Sequence, residues 1–290
     1  MRIAIFGRKF EEENLPFIEN LFEIIKRRGY EVIIHENFRK QIENFTSTPP
    51  FKNFGEGDIL KDIDFMFSVG GDGTILESVT YIRQNEIPIL GINTGRLGFL
   101  ATTSHDAIGQ VFEDLDKGLY TIDSRMMIRL ESEKGLFGEL NFALNDIGIH
   151  KSDTSSMITI HTFVNGEFLN SYWADGMLIT TPTGSTGYSL SCGGPIIFPR
   201  SGNLLITPIS PHNLTVRPIV VADSAVISFE VESRSDNFLI SLDSRSKVVS
   251  TGVQLAVKKE NFSAKLVRMN DENFLFTLRT KLNWGLDIRN

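Results

Sequence analysis

The sequence predicts an α/β amino-terminal part followed by a β-rich part, and three observations carry that reading. Over residues 1–100, short apolar runs alternate with segments of helical period. Near residue 100 the texture changes to short β-like runs separated by glycine and polar turns. The chain has 290 residues and 41% hydrophobic content, enough to bury a sizeable core and, as a soft prior, about two domains.

Arg2 to Gly7 is an apolar run ending in glycine and reads as a buried first strand. Leu15 to Arg28 places Phe17, Ile18, Leu21, Phe22 and Ile25 at helical spacing, with Gly29 as the stop. Glu31 to His35 reads as a second strand. From Glu36 to Lys61 the periodicity fades among Pro49, Pro50, Gly55 and Gly57, so a mobile connection with at most a short helix is expected. Ile63 to Val69 is a third strand, and a helix is expected from Ile75 to about Arg83. Thr74 and Glu77 fit a capping box at its start. Ile87 to Ile92 is a further strand. Strands alternating with helices imply a parallel sheet, whose ligands sit at the carboxyl ends of the strands.

In the second part, strands are expected over 126–132, 140–150, 156–164, 177–181, 225–231 and 238–242. The division predicted is 1–100 for the α/β domain and 101–269 for the β-rich domain. Residues 270–290, with the apolar stretch Phe274 to Leu282, are a candidate to complete the first.

The net charge of −7 argues against a nucleic-acid polymer as partner, because phosphate backbones need a basic footprint. Small anionic ligands would need local backbone N–H groups, a few cations or a bound metal to overcome that repulsion. Cys192 is the only cysteine, so neither an internal disulfide nor a Cys-rich zinc site can form within one chain. As a lone thiol with no neighbour to lower its pKa, it reads as a small buried residue. No apolar run reaches signal or transmembrane length, and a cytoplasmic protein without membrane partners is expected.

The sharpest local signal is Gly70-Gly71-Asp72-Gly73-Thr74, between a predicted strand and a predicted helix. Glycines let the backbone turn tightly and approach a ligand, and a helix N-terminus favours phosphate. An aspartate there would repel such an anion unless it faces a hydroxyl, as proton acceptor, or a cation. The plainer alternative is a turn with a solvated aspartate. The loop is neither Gly-x-Gly-x-x-Gly nor a Walker A sequence, which disfavours a standard dehydrogenase and a P-loop kinase. A second glycine turn, Asn93 to Leu100, follows the next strand; its Arg96 either meets a phosphate or serves as a structural charge.

The longest signal runs from Asp175-Gly176 through Pro182-Thr183-Gly184-Ser185-Thr186-Gly187-Tyr188-Ser189-Leu190-Ser191 to Gly193-Gly194-Pro195. Its hydroxyls and free amides suit a polar, planar ligand; turn chemistry alone would also select such residues. No Gly-x-Ser-x-Gly elbow occurs. Asn145-Asp146 interrupts an apolar strand-like run, so the pair either meets a ligand, such as ribose hydroxyls, or marks a bulge or strand end. His212, flanked by prolines, reads as structural, and the other histidines lack metal-ligand spacing.

Taken together, these motifs resemble the NAD kinase family: Gly-Gly-Asp-Gly-Thr at 70–74, Asn-Thr-Gly-Arg-Leu-Gly-Phe-Leu at 93–100, Asn-Asp at 145–146, Asp-Gly at 175–176, the run 181–191, and Pro-Ile-Ser-Pro-His at 208–212. They occur in the family's order. The resemblance implies a Rossmann-like parallel sheet in the α/β domain, a sandwich-like all-β domain that binds NAD, and a site between the two. It implies that Asp72 is the base facing the 2′-hydroxyl of the adenosine ribose, with Gly73 beside it. Asn145 and Asp146 would hold the adenosine ribose, Asp175 would lie near the nicotinamide, and Thr186, Gly187, Tyr188, Ser189, Leu190 and Ser191 would wrap the dinucleotide. ATP or another phosphoryl donor, a divalent ion such as Mg2+ with no direct protein ligand, and a homodimer or homotetramer complete the implied picture. Three positions depart from the family's commoner residues: Trp173, Asp146 in place of Glu, and Asp243-Ser244-Arg245 in place of Asp-Gly-Gln.

Two rival functions share parts of this pattern. A diacylglycerol- or sphingosine-type lipid kinase would carry Gly-Gly-Asp-Gly-Thr too, but no amphipathic or basic membrane-binding stretch is present. A non-catalytic dinucleotide sensor would have no need of Asp72.

Overall fold

The computed structural model describes residues 1–95, 97–133, 135–152, 156–269 and 273–284. The chain divides into two compact units, Met1–Ser124 with Ala264–Asn290, and Arg125–Ser263.

The first unit opens with β1 (Arg2–Gly7), α1 (Leu15–Arg28), β2 (Glu31–His35), α2 (Glu36–Ile42), β3 (Lys52–Phe54), β4 (Phe65–Val69) and α3 (Asp72–Ile82). It continues with β5 (Ile89–Asn93), the short β6 (Thr103–Ser104) and α4 (Ile108–Lys117). These strands pair in parallel in the order β3–β2–β1–β4–β5, with β6 beside β5. Strands β4 and β5 are buried at every residue, as expected for strands covered on both faces.

Helix α1 begins with a proline in its first turn, ends on Lys26-Arg27-Arg28 and is closed by Gly29 at φ 65°. Its apolar face, Phe17, Ile18, Leu21, Phe22 and Ile25, packs into one cluster with Ile3, Ile5 and Ile34 from the sheet. Phe38 of α2 is fully buried in that cluster. Residues 36–61 therefore carry a helix and also a strand, β3, which the sequence did not predict. Only Phe54 of β3 is buried, too little for an apolar pattern to show.

Helix α3 starts at Asp72, three residues before the predicted start, and this corrects the capping box. Thr74 is buried within the first turn, and Glu77 pairs with Arg8 at 3.0 Å instead of reaching back to the helix end.

The second unit contains β7 (Tyr120–Ser132, from Arg125 onward), β8 (Phe142–Ala143), β9 (Asp146–Lys151), β10 (Ile158–Val164), β11 (Glu167–Ala174) and β12 (Gly176–Thr180). After the four-residue α5 (Tyr188–Ser191) come β13 (Asn203–Ile209), β14 (Ile219–Ala222), β15 (Ile227–Glu232), β16 (Asn237–Leu242) and β17 (Arg245–Ser250). Strand β18 (Leu255–Met269) follows, and its end pairs in parallel with β5 through Leu266 and Ile89, both in the first unit. Helix α6 (Phe274–Leu282) closes the described chain; Asn273 caps it by accepting from the Leu275 N–H.

Two sheets of antiparallel pairs make up most of the second unit. One sheet runs β14–β13–β12–β9–β16–β17, and the other joins β11, β10, β15 and the start of β18. Their inner faces share one core that includes Ile147, Met177 and Ile240 from the first sheet and Ile160, Ile227 and Phe229 from the second. This is a sandwich. Strands β11, β13, β14, β17 and β18 are additional to those predicted. β13 hid behind Pro208, which the sheet tolerates because β14 pairs only with Asn203–Ile206.

Gly7 is a packing necessity of the first core: a Cβ there would overlap the buried Phe38 ring. Gly7→Ala is expected to lower stability by about 1–3 kcal/mol through overpacking. Gly109→Ala, in α4 where the added methyl meets nothing within 4 Å, is expected to raise it by about 0.5 kcal/mol. Urea denaturation midpoints check both; an unchanged midpoint for Gly7→Ala would mean that the ring moves aside freely.

Candidate functional site

In the first unit, β4 ends at Val69 and the chain turns through Gly70, whose φ of 145° and closeness to the Thr74 hydroxyl leave no room for a side chain. The Gly70 N–H donates to the Ile92 carbonyl at 2.9 Å, tying the loop to β5. Gly71 is exposed with open space around it, and Asp72 is the first residue of α3.

The Asp72 carboxylate is held tightly. Its Oδ2 accepts from the Phe99 N–H at 2.8 Å, and Oδ1 accepts from the N–H groups of Leu100 and Ala101 at 2.9 Å each. A Cβ on Gly98 would overlap that carboxylate. A carboxylate offers about four acceptor positions, so one on Oδ2 is left for another donor. From its other side, the 99–102 turn is gripped by Arg268, whose guanidinium donates to the Leu100 carbonyl at 3.2 Å and the Thr102 hydroxyl at 2.7 Å. Arg268 also pairs with Asp123 at 3.4 Å.

A cavity of about 290 Å3 adjoins this loop, lined by Gly70, Gly71, Thr74, Arg8, Lys9 and Thr94 among others. Gly73 lies against Arg8: a Cβ there would come 3.3 Å from the guanidinium. Arg96 lies outside the described residues.

In the second unit, Asn145 sits in a break between β8 and β9, and Asp146 is the first residue of β9. The predicted single strand over 140–150 is thus two strands with the polar pair at the break. Three contacts fix that break. The Asp243 carboxylate accepts from the N–H groups of Leu144 and Asn145 at 2.8 Å each and of Asp146 at 3.2 Å. The Thr181 hydroxyl donates to the Leu144 carbonyl at 2.6 Å. Gly184 presses on the Asn145 backbone so closely that a Cβ would overlap it.

Asp146 is electrostatically unusual: burial, with Asp243 adding to it, pushes its carboxyl up to about 7. Burial likewise pushes the Tyr188 hydroxyl up, with Cys192, Asp175 and Asp146 contributing, and pushes the Cys192 thiol up, with Asp146 contributing. These side chains share one neighbourhood. Tyr188 is 48% exposed and stacks on His150, with centroids 6.3 Å apart and planes at 17°. His150 in turn meets the Ser241 hydroxyl at 2.9 Å, and burial lowers its pKa. Asp175 pairs with Lys151 at 2.6 Å.

The run 186–191 is divided by exposure. Gly187, Tyr188 and Ser191 face outward, and Thr186 and Leu190 are half-buried. Ser189 is fully buried, with its hydroxyl 2.8 Å from that of Thr207. Trp173, 49% exposed, packs on His212 with ring centroids 4.3 Å apart.

Asp243, Arg268 and His150 were not assigned a role from the sequence. Each acts on backbone or rings far away along the chain, which no local motif marks. Among the described residues, no group of three or more His, Cys, Asp or Glu could hold a metal ion. None of the helices among them is long and apolar enough to cross a membrane.

The family description "ATP-NAD kinase N-terminal domain" matches residues 3–120, and "ATP-NAD kinase C-terminal domain" matches 144–269. The chain is 51% identical over 292 residues to a curated NAD kinase of Cytophaga hutchinsonii, with both chains covered completely. It is 45% identical over 294 residues to that of Flavobacterium psychrophilum, again with complete coverage. Among solved structures, yeast NADH kinase complexed with NADH has a TM-score of 0.89 at 25% identity, covering 100% of this chain and 89% of that one. An NAD kinase from Archaeoglobus fulgidus in complex with ATP has a TM-score of 0.76 at 25% identity, covering 98% and 99%. With both of its units matched and full-length relatives at this identity, the chain belongs to the NAD kinase family.

Proposed function

We propose that the chain transfers the γ-phosphoryl group of ATP to the 2′-hydroxyl of the adenosine ribose of NAD, giving NADP and ADP. The observation that carries the catalytic assignment is Asp72: a carboxylate at a helix start, held by three backbone N–H groups, with one acceptor position on Oδ2 unused. In this reading the 2′-hydroxyl donates its proton to Asp72, its oxygen attacks the γ-phosphorus, and the bond to the β–γ bridging oxygen breaks. The exposed Gly71 and the start of α3 offer the donor phosphates N–H groups. Arg8 and Lys9 line the same cavity paired with Glu77 and Glu11, and would turn to the phosphates by exchanging those partners. Gly73 presents bare backbone beside Asp72, with the Arg8 guanidinium against it.

The second unit supplies the dinucleotide contacts. Asn145 and Asp146 receive the ribose hydroxyls, Asp175 the nicotinamide end, and the outward-facing Gly187, Tyr188 and Ser191 the polar rim. Ser189 contributes by holding the loop through Thr207. A divalent ion bound with the donor would neutralise phosphate charge; without a carboxylate cluster among the described residues, it would take its ligands from the phosphates and water. We also infer a homodimer or homotetramer acting in the cytoplasm, which sedimentation of the purified chain would check for assembly.

Incubation with NAD, ATP and Mg2+, with NADP read through an NADP-specific dehydrogenase, tests the activity directly. NADP is expected only with all components present; tight NAD binding without turnover on ATP, other triphosphates or polyphosphate would instead favour a sensor. Asp72→Asn is expected to lower kcat by about 10²–10⁴-fold with the KM for NAD little changed. Near-normal turnover would remove Asp72 from the base role.

The raised Asp146 pKa gives a signed pH dependence. A carboxyl titrating at about 7 accepts ribose hydroxyls fully only above that pH. The KM for NAD is therefore expected to rise as pH falls through 7, approaching tenfold per unit below it. In Asp146→Asn the KM is expected to be higher and flat with pH. A wild-type KM that is flat from pH 5.5 to 8.5 would exclude Asp146 as the titrating contact.

A further inference from the structure

We propose that Asp243 is a positioning residue for the dinucleotide: it acts through the backbone of 144–146 to set Asn145 and Asp146. This rests on the assignment of Asn145 and Asp146 to NAD binding.

The geometry is specific. Asp243 occupies the tight turn between β16 and β17, in the left-handed region at φ 50°, a conformation that aspartate and asparagine accept more readily than most residues. From there its two carboxylate oxygens collect three successive N–H groups, those of Leu144, Asn145 and Asp146. Its own N–H returns a bond to the Asp146 carbonyl at 3.0 Å. The segment is thus bonded to one residue in both directions at the place where Asp146 begins β9.

Arg245, two residues on, completes the grip. Its guanidinium donates to the carbonyls of Leu140 and Phe142 and lies over the Phe142 ring, 5.3 Å from the centroid. One hairpin turn therefore takes the N–H groups of 144–146 with a carboxylate and the carbonyls of 140 and 142 with a guanidinium. The ladder between β9 and β16 ends at the pair Ile147–Leu242. On the opposite side β12 reaches one residue further, pairing Thr180 with Asp146, and the Thr181 N–H donates to the Asn145 carbonyl at 2.9 Å. On the β16 side the turn alone takes the N–H groups of 144–146.

Position and charge are coupled here. The groups around the Asp146 carboxyl are Asp243, Cys192 and Tyr188, with Arg245 beside Asp243. Burial pushes the Asp243 carboxyl itself up, while its three N–H donors and Arg245 pull it down; its negative charge is what raises the Asp146 pKa after burial. Removing the Asp243 charge would loosen the segment and ease ionisation of Asp146, two effects with separate readouts.

The experiment is steady-state kinetics on the full chain from pH 5.5 to 8.5, for wild type, Asp243→Asn, Arg245→Lys and Asp146→Asn. Asparagine keeps the turn conformation but has only one acceptor oxygen to offer. For Asp243→Asn we expect the KM for NAD to rise tenfold or more and the KM for ATP to stay within twofold. The pH midpoint of the NAD KM should move to lower pH, and amide exchange at 144–146 should accelerate. Arg245→Lys, which keeps the cation and loses the forked grip, should raise the KM for NAD three- to fivefold, and it carries the test if Asp243→Asn does not fold.

A folded Asp243→Asn with an NAD KM within twofold of wild type would overturn the proposal. So would equal rises in both KM values with an unmoved pH midpoint, the signature of general destabilisation. If Asp146→Asn leaves the NAD KM unchanged, the failure lies in the underlying assignment of the pair. If Asp146→Asn raises it while the Asp243 and Arg245 variants do not, the failure lies in the positioning role alone.

Discussion

A carboxylate that gathers three successive backbone N–H groups is the interaction on which the functional regions of this chain depend, and each unit has an example among the described residues. Asp72 gathers those of Phe99, Leu100 and Ala101; Asp243 gathers those of Leu144, Asn145 and Asp146. Successive N–H groups converging in a turn form a concavity suited to an anion. Here the chain fills each concavity with its own side chain. Hydrogen bonds to a charged acceptor are worth about 1.5–3 kcal/mol each, so a cluster of three is of the same order as the entropy of ordering a short turn. An arginine then takes nearby carbonyl groups: Arg268 that of Leu100 within the first segment, and Arg245 those of Leu140 and Phe142 just before the second. Where sheet pairing runs out, charge takes over the fixing of the chain.

That arrangement also bears on how a chain of net charge −7 handles anionic ligands. Asp72, Asp175 and Asp243 are each matched locally by N–H groups or a cation, which limits the field they present to a phosphate. Burial pushes the Asp243 carboxyl up as well, against the pull of its three N–H groups and Arg245. Asp146, with burial and Asp243 both acting on it, holds its proton up to about neutrality. The carboxyl left least satisfied by the protein is the one with most to gain from ligand hydroxyls.

The fold was legible where burial imposes a period. β1, α1, β2, β4 and β5 carry apolar runs because they are covered on their packing faces, and they lie within two residues of where the sequence puts them. The strands that did not show are mostly edges: β3, β11 and β17 bury few side chains and are held by backbone bonds, which leave no trace in side-chain type. The site was legible as glycine-rich turns and misplaced aspartates, since both are costly unless a ligand or a special backbone needs them. What did not show was what holds them. Asp243 stands 97 to 99 residues from its three donors, and Ser189 looks like any other hydroxyl of its loop until the fold turns it toward Thr207.

Gly98 carries a consequence for how this sequence can change. Its backbone is not in the left-handed region, and the obstacle to a larger residue is the Asp72 carboxylate that fills the space where a Cβ would go. The requirement at 98 is therefore conditional, imposed by a side chain 26 positions earlier in the sequence. On a background that lacks Asp72 the steric veto vanishes, and alanine or serine becomes as admissible there as at an ordinary turn position. With Asp72 in place, a side chain at 98 would have to push that carboxylate off its three N–H donors, so the glycine guards the aspartate's position without touching any ligand itself.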